Sequence, residues 1–160
     1  MNFGGFILIR KDKERYYLDI ADAVSDRSTC IRRIYGAVIV KDGEIISTGY
    51  NGSPRGCRNC SDNHICKRQE LNIPPGERYE YCRSIHAECN AIISASRRDM
   101  IGATLYLSGK DAITHEKLEI SEPCMMCKRL IINAGIEKVV ASCGKLQMHT
   151  YDVSDWIDKL

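Results

Sequence analysis

A chain of 160 residues is long enough to bury a continuous core in one domain without help from disulfides, and one domain over 1–160 is expected. Its 23 Lys and Arg against 21 Asp and Glu leave a net charge of +2, and aromatic residues make up only 7%. Neither a basic track nor a stacking channel for nucleic acid is therefore expected, and small-molecule ligands are the better expectation. The one N-terminal apolar stretch, residues 4–9, lacks a preceding basic region and is too short to cross a membrane, so the chain reads as cytoplasmic with no membrane partner.

Over residues 12–29 the apolar side chains Tyr16, Tyr17, Ile20, Ala21 and Val24 recur at helical spacing, the stripe of an amphipathic helix. Residues 36–40 read as a buried strand and 44–49 as a second, joined through Asp42-Gly43, a strong hairpin signal. Residues 51–82 are rich in Gly, Pro, Asn, Arg and Cys without sustained periodicity; a loop of that length in a compact domain is usually functional. Helical character returns at 87–98, strand at 103–107, helix at 125–134 and strand at 136–141. The alternation predicts an α/β fold with helices packed on a sheet.

Nine cysteines, an odd number, exceed what packing needs and do not suit a secreted disulfide scaffold; metal binding in a reducing compartment explains them better. His86-Ala87-Glu88 opens one predicted helix and Pro123-Cys124-Met125-Met126-Cys127 opens another. Cys124 and Cys127 share a helix face, the positive helix end favours their thiolates, and Pro123 suits a helix start. With His86 they make three protein ligands, which leaves a tetrahedral zinc one position for water. Glu88, two residues from His86, is offset from that face and is a poor fourth ligand. It is instead placed to accept and pass on the proton of a water activated by the metal.

These paired signatures resemble those of the zinc-dependent cytidine and deoxycytidylate deaminases. The resemblance runs from residue 27 to about 140 and is drawn closer to the deoxycytidylate branch by Arg27-Ser28-Thr29-Cys30 and Gly49-Tyr50-Asn51-Gly52-Ser53-Pro54-Arg55-Gly56. It implies a three-layer α/β/α sandwich with a central mixed sheet, a catalytic zinc on His86, Cys124 and Cys127, and Glu88 as the group that protonates N3 and helps the amine leave as ammonia. It further implies substrate contacts at Asn51 (sugar), Arg32 and Arg55 (phosphate) and Ala87. A second, structural zinc is implied on Cys30, Cys60, Cys66 and Cys82, with His64 as the alternative to Cys66, and so is assembly as a homo-oligomer. The substrate implied is a nucleotide, dCMP, converted to dUMP.

Other readings of the same residues stay open. The Gly-Tyr-Asn-Gly run can be only a tight turn, Arg55 only a solvated charge, and Cys57, Cys89 and Cys143 only small buried side chains. The chain departs from the deoxycytidylate pattern in a longer segment at 108–122 and in reading Ala-Ser-Cys-Gly after Val140, without the Tyr that commonly helps close the pocket. The alternatives are a deaminase of free cytidine, deoxycytidine or another cytosine nucleotide and, from a different class, a structural zinc module, which has no use for Glu88.

Overall fold

The computed structural model describes residues 10–159; the apolar stretch 4–9 lies outside them. Asp12 caps the first helix, α1 (Lys13–Ser25), by accepting a hydrogen bond from the Arg15 amide at 2.9 Å. The helix stops short of the expected residue 29. The amides of Asp26, Arg27 and Ser28 turn to carbonyls three residues back, and the Thr29 amide then donates to the Asn51 carbonyl at 3.2 Å, drawing the chain off the helix axis.

Strands β1 (Arg33–Lys41) and β2 (Glu44–Tyr50) pair antiparallel across Asp42-Gly43, where both residues have positive φ as a tight hairpin turn requires. Residues 51–82 are less irregular than expected: they hold two single-turn helices, α2 (Cys60–Asn63) and α3 (Lys67–Glu70), and a 3₁₀ turn (Tyr79–Tyr81). The helix expected over 87–98 is two helices, α4 (Ala87–Ile93) and α5 (Arg97–Met100). The Ser94 hydroxyl bonds back to the Asn90 carbonyl at 2.8 Å, and Ser96 caps the new turn. Then follow β3 (Thr104–Asp111), α6 (Met125–Ala134), β4 (Lys138–Cys143), β5 (Gln147–Asp152) and α7 (Ser154–Ile157).

The sheet is mixed, in the order β2-β1-β3-β4-β5, with β3 and β4 the parallel pair. Its two faces alternate along each strand. Val38, Val40, Tyr106 and Val140 pack under α1, while Ala37, Ile39, Leu105, Leu107 and Val139 face Ala91 of α4 and Ile131 of α6. The expected α/β/α layering follows from this alternation. Central β1 and β3 are covered on both faces, which is why they read as continuous apolar runs. No helix among the described residues is long and apolar enough to cross a membrane.

The longer segment at 108–122 has a definite place. Parallel β3 and β4 part after Leu107 and Ala141, and residues 117–121 fill the gap: the Leu118 amide donates to Gly109, Gly144 donates to Leu118, and the Ser121 amide donates to Ser142. The segment thus leads the chain from the end of β3 to Glu122 and the start of α6.

Candidate active site

Two helix starts meet over the sheet. His86 is the N-cap of α4 and Cys124 the N-cap of α6, both with extended backbone, and Cys127 lies one turn into α6. The Cys124 and Cys127 sulfurs stand 3.4 and 3.3 Å from His86 Nδ1, and the three ligand atoms lie within 4.8 Å of one another. Among the described residues this is the one such trio of metal-ligating groups. Glu88 sits in the first turn of α4, off the trio and 5% exposed; burial raises its carboxyl, with the neighbouring His86 partly opposing.

The donor set fits a zinc ion. Cys124 is pushed down to about 4, chiefly by its hydrogen bond with Cys127 and then by His86, so one thiolate forms readily. Cys127 is pushed up by that same bond, by Cys89 (whose sulfur is 3.8 Å away) and by burial; a second thiolate here calls for a cation. One imidazole and two thiolates are borderline-soft donors in zinc's usual set, and they leave a fourth position free.

His86 and Cys124 open on a pocket of about 160 Å³ that Glu88, Ala87, Asn51 and Arg32 also line, with Cys127 buried behind them. Arg55 is not brought there: it is exposed, away from the pocket lining. Asn51 is largely committed to the scaffold. Its Oδ1 accepts from the Ser28 hydroxyl (2.6 Å) and the Tyr35 amide (2.7 Å), and its Nδ2 donates to the Arg33 carbonyl (2.9 Å), leaving one N–H. Cys30, Cys66 and Cys82 border the same pocket, and Cys60 is buried nearby. Burial first, then the proximity of Cys30 and Cys66, raises the thiols of both Cys60 and Cys82. His64 is exposed with left-handed backbone. Cys57 is exposed as well, so it is not the small buried side chain of the packing reading; Cys89 is buried.

Sequence reasoning missed Arg68, Tyr79, Ser84 and Glu122 in the pocket wall. Arg68 and Ser84 each keep a buried polar atom, Nε and Oγ, with no protein partner. No spacing rule ties these residues to the two motifs; a buried arginine in an otherwise polar loop leaves no trace in periodicity.

Fold and site together define an α/β/α protein with a zinc-type donor trio beside a buried carboxylate. The chain belongs to the family described as the cytidine and deoxycytidylate deaminase zinc-binding region, whose model matches residues 11–143. It is 41% identical over 137 residues to a deoxycytidylate deaminase of Mycobacterium phage D29, covering 82% of this chain and 94% of that protein. It is 33% identical over 131 residues to the deoxycytidylate deaminase of Schizosaccharomyces pombe, covering 82% of this chain but 37% of that longer protein. Among solved structures it resembles the dCMP deaminase of cyanophage S-TIM5 in apo form, with TM-score 0.56 and 28% identity over 82% of each chain.

Proposed function

We propose that this chain hydrolyses deoxycytidylate to deoxyuridylate with release of ammonia. The observation that carries the reading is the buried carboxylate of Glu88 sharing one pocket with His86 and Cys124, the two members of the donor trio that line it. The 41% identity to a phage deoxycytidylate deaminase supports the choice of substrate. Zinc held by the trio would supply Lewis-acid activation of water. Glu88, raised by burial, takes the proton of the attacking water, delivers it to N3 of the ring and helps the 4-amino group depart as ammonia. Ala87 and the remaining Asn51 N–H border the nucleotide, and Arg32 is the arginine assigned to the 5′-phosphate.

The reading extends to a second zinc on Cys30, Cys60, Cys66 and Cys82, which are neighbours about the pocket but do not stand at ligand spacing from one another, so the metal would have to draw their sulfurs together; Cys66 is favoured over the exposed His64. It takes the chain as one catalytic domain into which residues 51–82 are inserted. Exposed Ile93 of α4 and Met125, Met126 and Leu130 of α6 suit burial against another copy in a homo-oligomer. Nine unpaired cysteines suit a reducing, cytoplasmic setting.

The test compares kcat/KM for deoxycytidylate, deoxycytidine and cytidylate in the parent and in Arg32→Ala. Loss of a charge-assisted phosphate contact should lower the deoxycytidylate value by about 1.5–3 kcal/mol, roughly 10- to 150-fold, and leave deoxycytidine little changed. A parent enzyme that prefers the free nucleoside refutes the phosphate assignment.

A further inference from the structure

The base-binding side of the pocket lacks an obvious aromatic surface until the long loop is considered. The segment after Val140 brings no tyrosine to it: Tyr151, on β5, packs instead on Trp156 and His149, with ring centroids 5.8 and 4.3 Å apart. The pocket-lining tyrosines are Tyr35 and Tyr79. Tyr35 is committed elsewhere, since its ring lies over Gly109, where an added Cβ would come within 2.5 Å of it. Tyr79 remains. Its ring stands edge to face against His86, with centroids 4.9 Å apart and planes at 88°, next to the donor trio.

Tyr79 is also held unusually firmly for a residue on a loop. The guanidinium of Arg68 lies 4.6 Å from the centre of its ring. Arg68 is only 6% exposed, and its Nη2 donates to the carbonyls of Pro74 at 2.5 Å and Glu77 at 2.7 Å, closing the turn between the two residues. Burying a guanidinium is costly unless it is paired. Here its partners are two backbone carbonyls and an aromatic face, and the result is a fixed ring at the mouth of the site. The ring belongs to neither of the two hydrophobic clusters; its contacts are with His86 and Arg68 beside the pocket.

We propose that Tyr79 is the aromatic wall against which the cytosine ring packs, and that Arg68 is the positioning residue that holds it there. The inference rests on the pocket receiving a cytosine nucleotide, as argued above. A pyrimidine packs well on an aromatic face, and a wall beside the donor trio limits how the ring can turn, so that C4 is presented to the water and N3 to Glu88.

The test measures zinc content and binding in the Glu88→Gln background, where turnover is slowed enough for binding to be read before the ligand is consumed. The ligands are deoxycytidylate and 2-deoxyribose 5-phosphate, which has sugar and phosphate but no base. Tyr79→Leu, which keeps apolar bulk but removes the ring, should weaken deoxycytidylate roughly ten- to hundredfold. It should leave the base-free ligand within about threefold and zinc unchanged. Tyr79→Phe should bind like the parent. Arg68→Ala should weaken deoxycytidylate when Tyr79 is intact and add nothing in the Tyr79→Leu background, the non-additivity expected of a residue acting through another. Unchanged deoxycytidylate binding in Tyr79→Leu overturns the proposal, and so does equal loss of both ligands. Loss of zinc overturns it as well, by assigning Tyr79 to the support of His86. Should the parent bind deoxycytidine and not deoxycytidylate, the phosphate reading fails separately, and the same comparison run with deoxycytidine against deoxyribose decides the wall.

Discussion

Gly49 is where scaffold and chemistry are most directly coupled, and Gly49→Ala tests that coupling. On β2, paired with Ala37 of β1, Gly49 faces α4 so closely that an added Cβ would lie 2.3 Å from the Ala91 nitrogen and 2.4 Å from the Ala87 oxygen. Both neighbours are backbone, so no side chain can swing aside. The Ser47 hydroxyl holds the same helix to β2 through the Ala91 carbonyl at 2.8 Å. To regain an ordinary contact of 3.4 Å, α4 must retreat by about 1 Å, taking His86 and Glu88 with it while Cys124 and Cys127 stay on α6. Overpacking of this kind costs about 1–3 kcal/mol, which lowers the melting temperature by roughly 2–12 °C for a chain of this size. A displacement of about 1 Å between groups that must act together costs on the order of a hundredfold in rate. Thermal unfolding and deoxycytidylate turnover measure the two effects on one preparation. An unchanged melting temperature with unchanged kcat would show that α4 does not depend on this contact and would refute the reasoning.

Glu88→Gln should retain zinc and lose about 10²- to 10⁴-fold in kcat, because the amide keeps the shape but cannot carry a proton; metal analysis with a deamination assay checks this, and kcat within tenfold of the parent refutes the role. Elemental analysis should give two zinc ions per chain, and Cys60→Ser should remove one, expose residues 51–82 to protease and raise KM for deoxycytidylate before kcat falls; one zinc in a fully active parent removes the structural site. Burial raises the Asp22 carboxyl, but Lys117, with its Nζ 2.6 Å away, and Lys110 outweigh it and hold Asp22 below its ordinary 3.8. Because the folded value is the lower one, the stabilisation is present above 3.8 and lost as pH falls through the depressed value. Asp22→Asn should therefore lose less stability than the parent over that acid range in denaturant titrations, and parallel curves would count against the pairing.

What the sequence disclosed follows from how locally each feature is determined. His86, Glu88, Cys124 and Cys127 are legible because each pair is fixed by one helix start, and the run from Met125 to Ala134 matches α6 residue for residue. The hairpin at Asp42-Gly43 is equally local. By contrast β5 leaves no pattern in the sequence: Gln147–Asp152 is an edge strand, largely exposed and without apolar alternation, and it exists because β4 offers it a free edge. The division of residues 87–98 turns on Ser94 and Ser96, whose hydroxyls compete with the helix in a way that periodicity does not register. The Gly-Tyr-Asn-Gly run has scaffold duties that its spacing does not disclose: Gly49 serves helix packing, and Asn51, though it lines the pocket, spends three hydrogen bonds on Ser28, Tyr35 and Arg33.

The long loop is the place where local rules fail and function concentrates. Cys66 is the N-cap of the short helix that carries Arg68, and Cys82 ends the 3₁₀ turn that begins at Tyr79. The cysteines assigned to a second metal thus bracket the segment assigned to the base. A metal holding Cys66 and Cys82 to Cys30 and the buried Cys60 would fix both ends of that segment against the close of α1. Arg68 would then fix its middle through Pro74 and Glu77. Such a loop has almost no apolar core of its own; Ile73 is among its few buried apolar side chains. Hydrogen bonding, and the proposed ligation, would supply the order that burial does not. With such a metal, structural ligation and substrate recognition would be linked energetically: loosening the cysteines should weaken binding of the base before it disturbs His86, Cys124 and Cys127, which are anchored on α4 and α6 over the sheet.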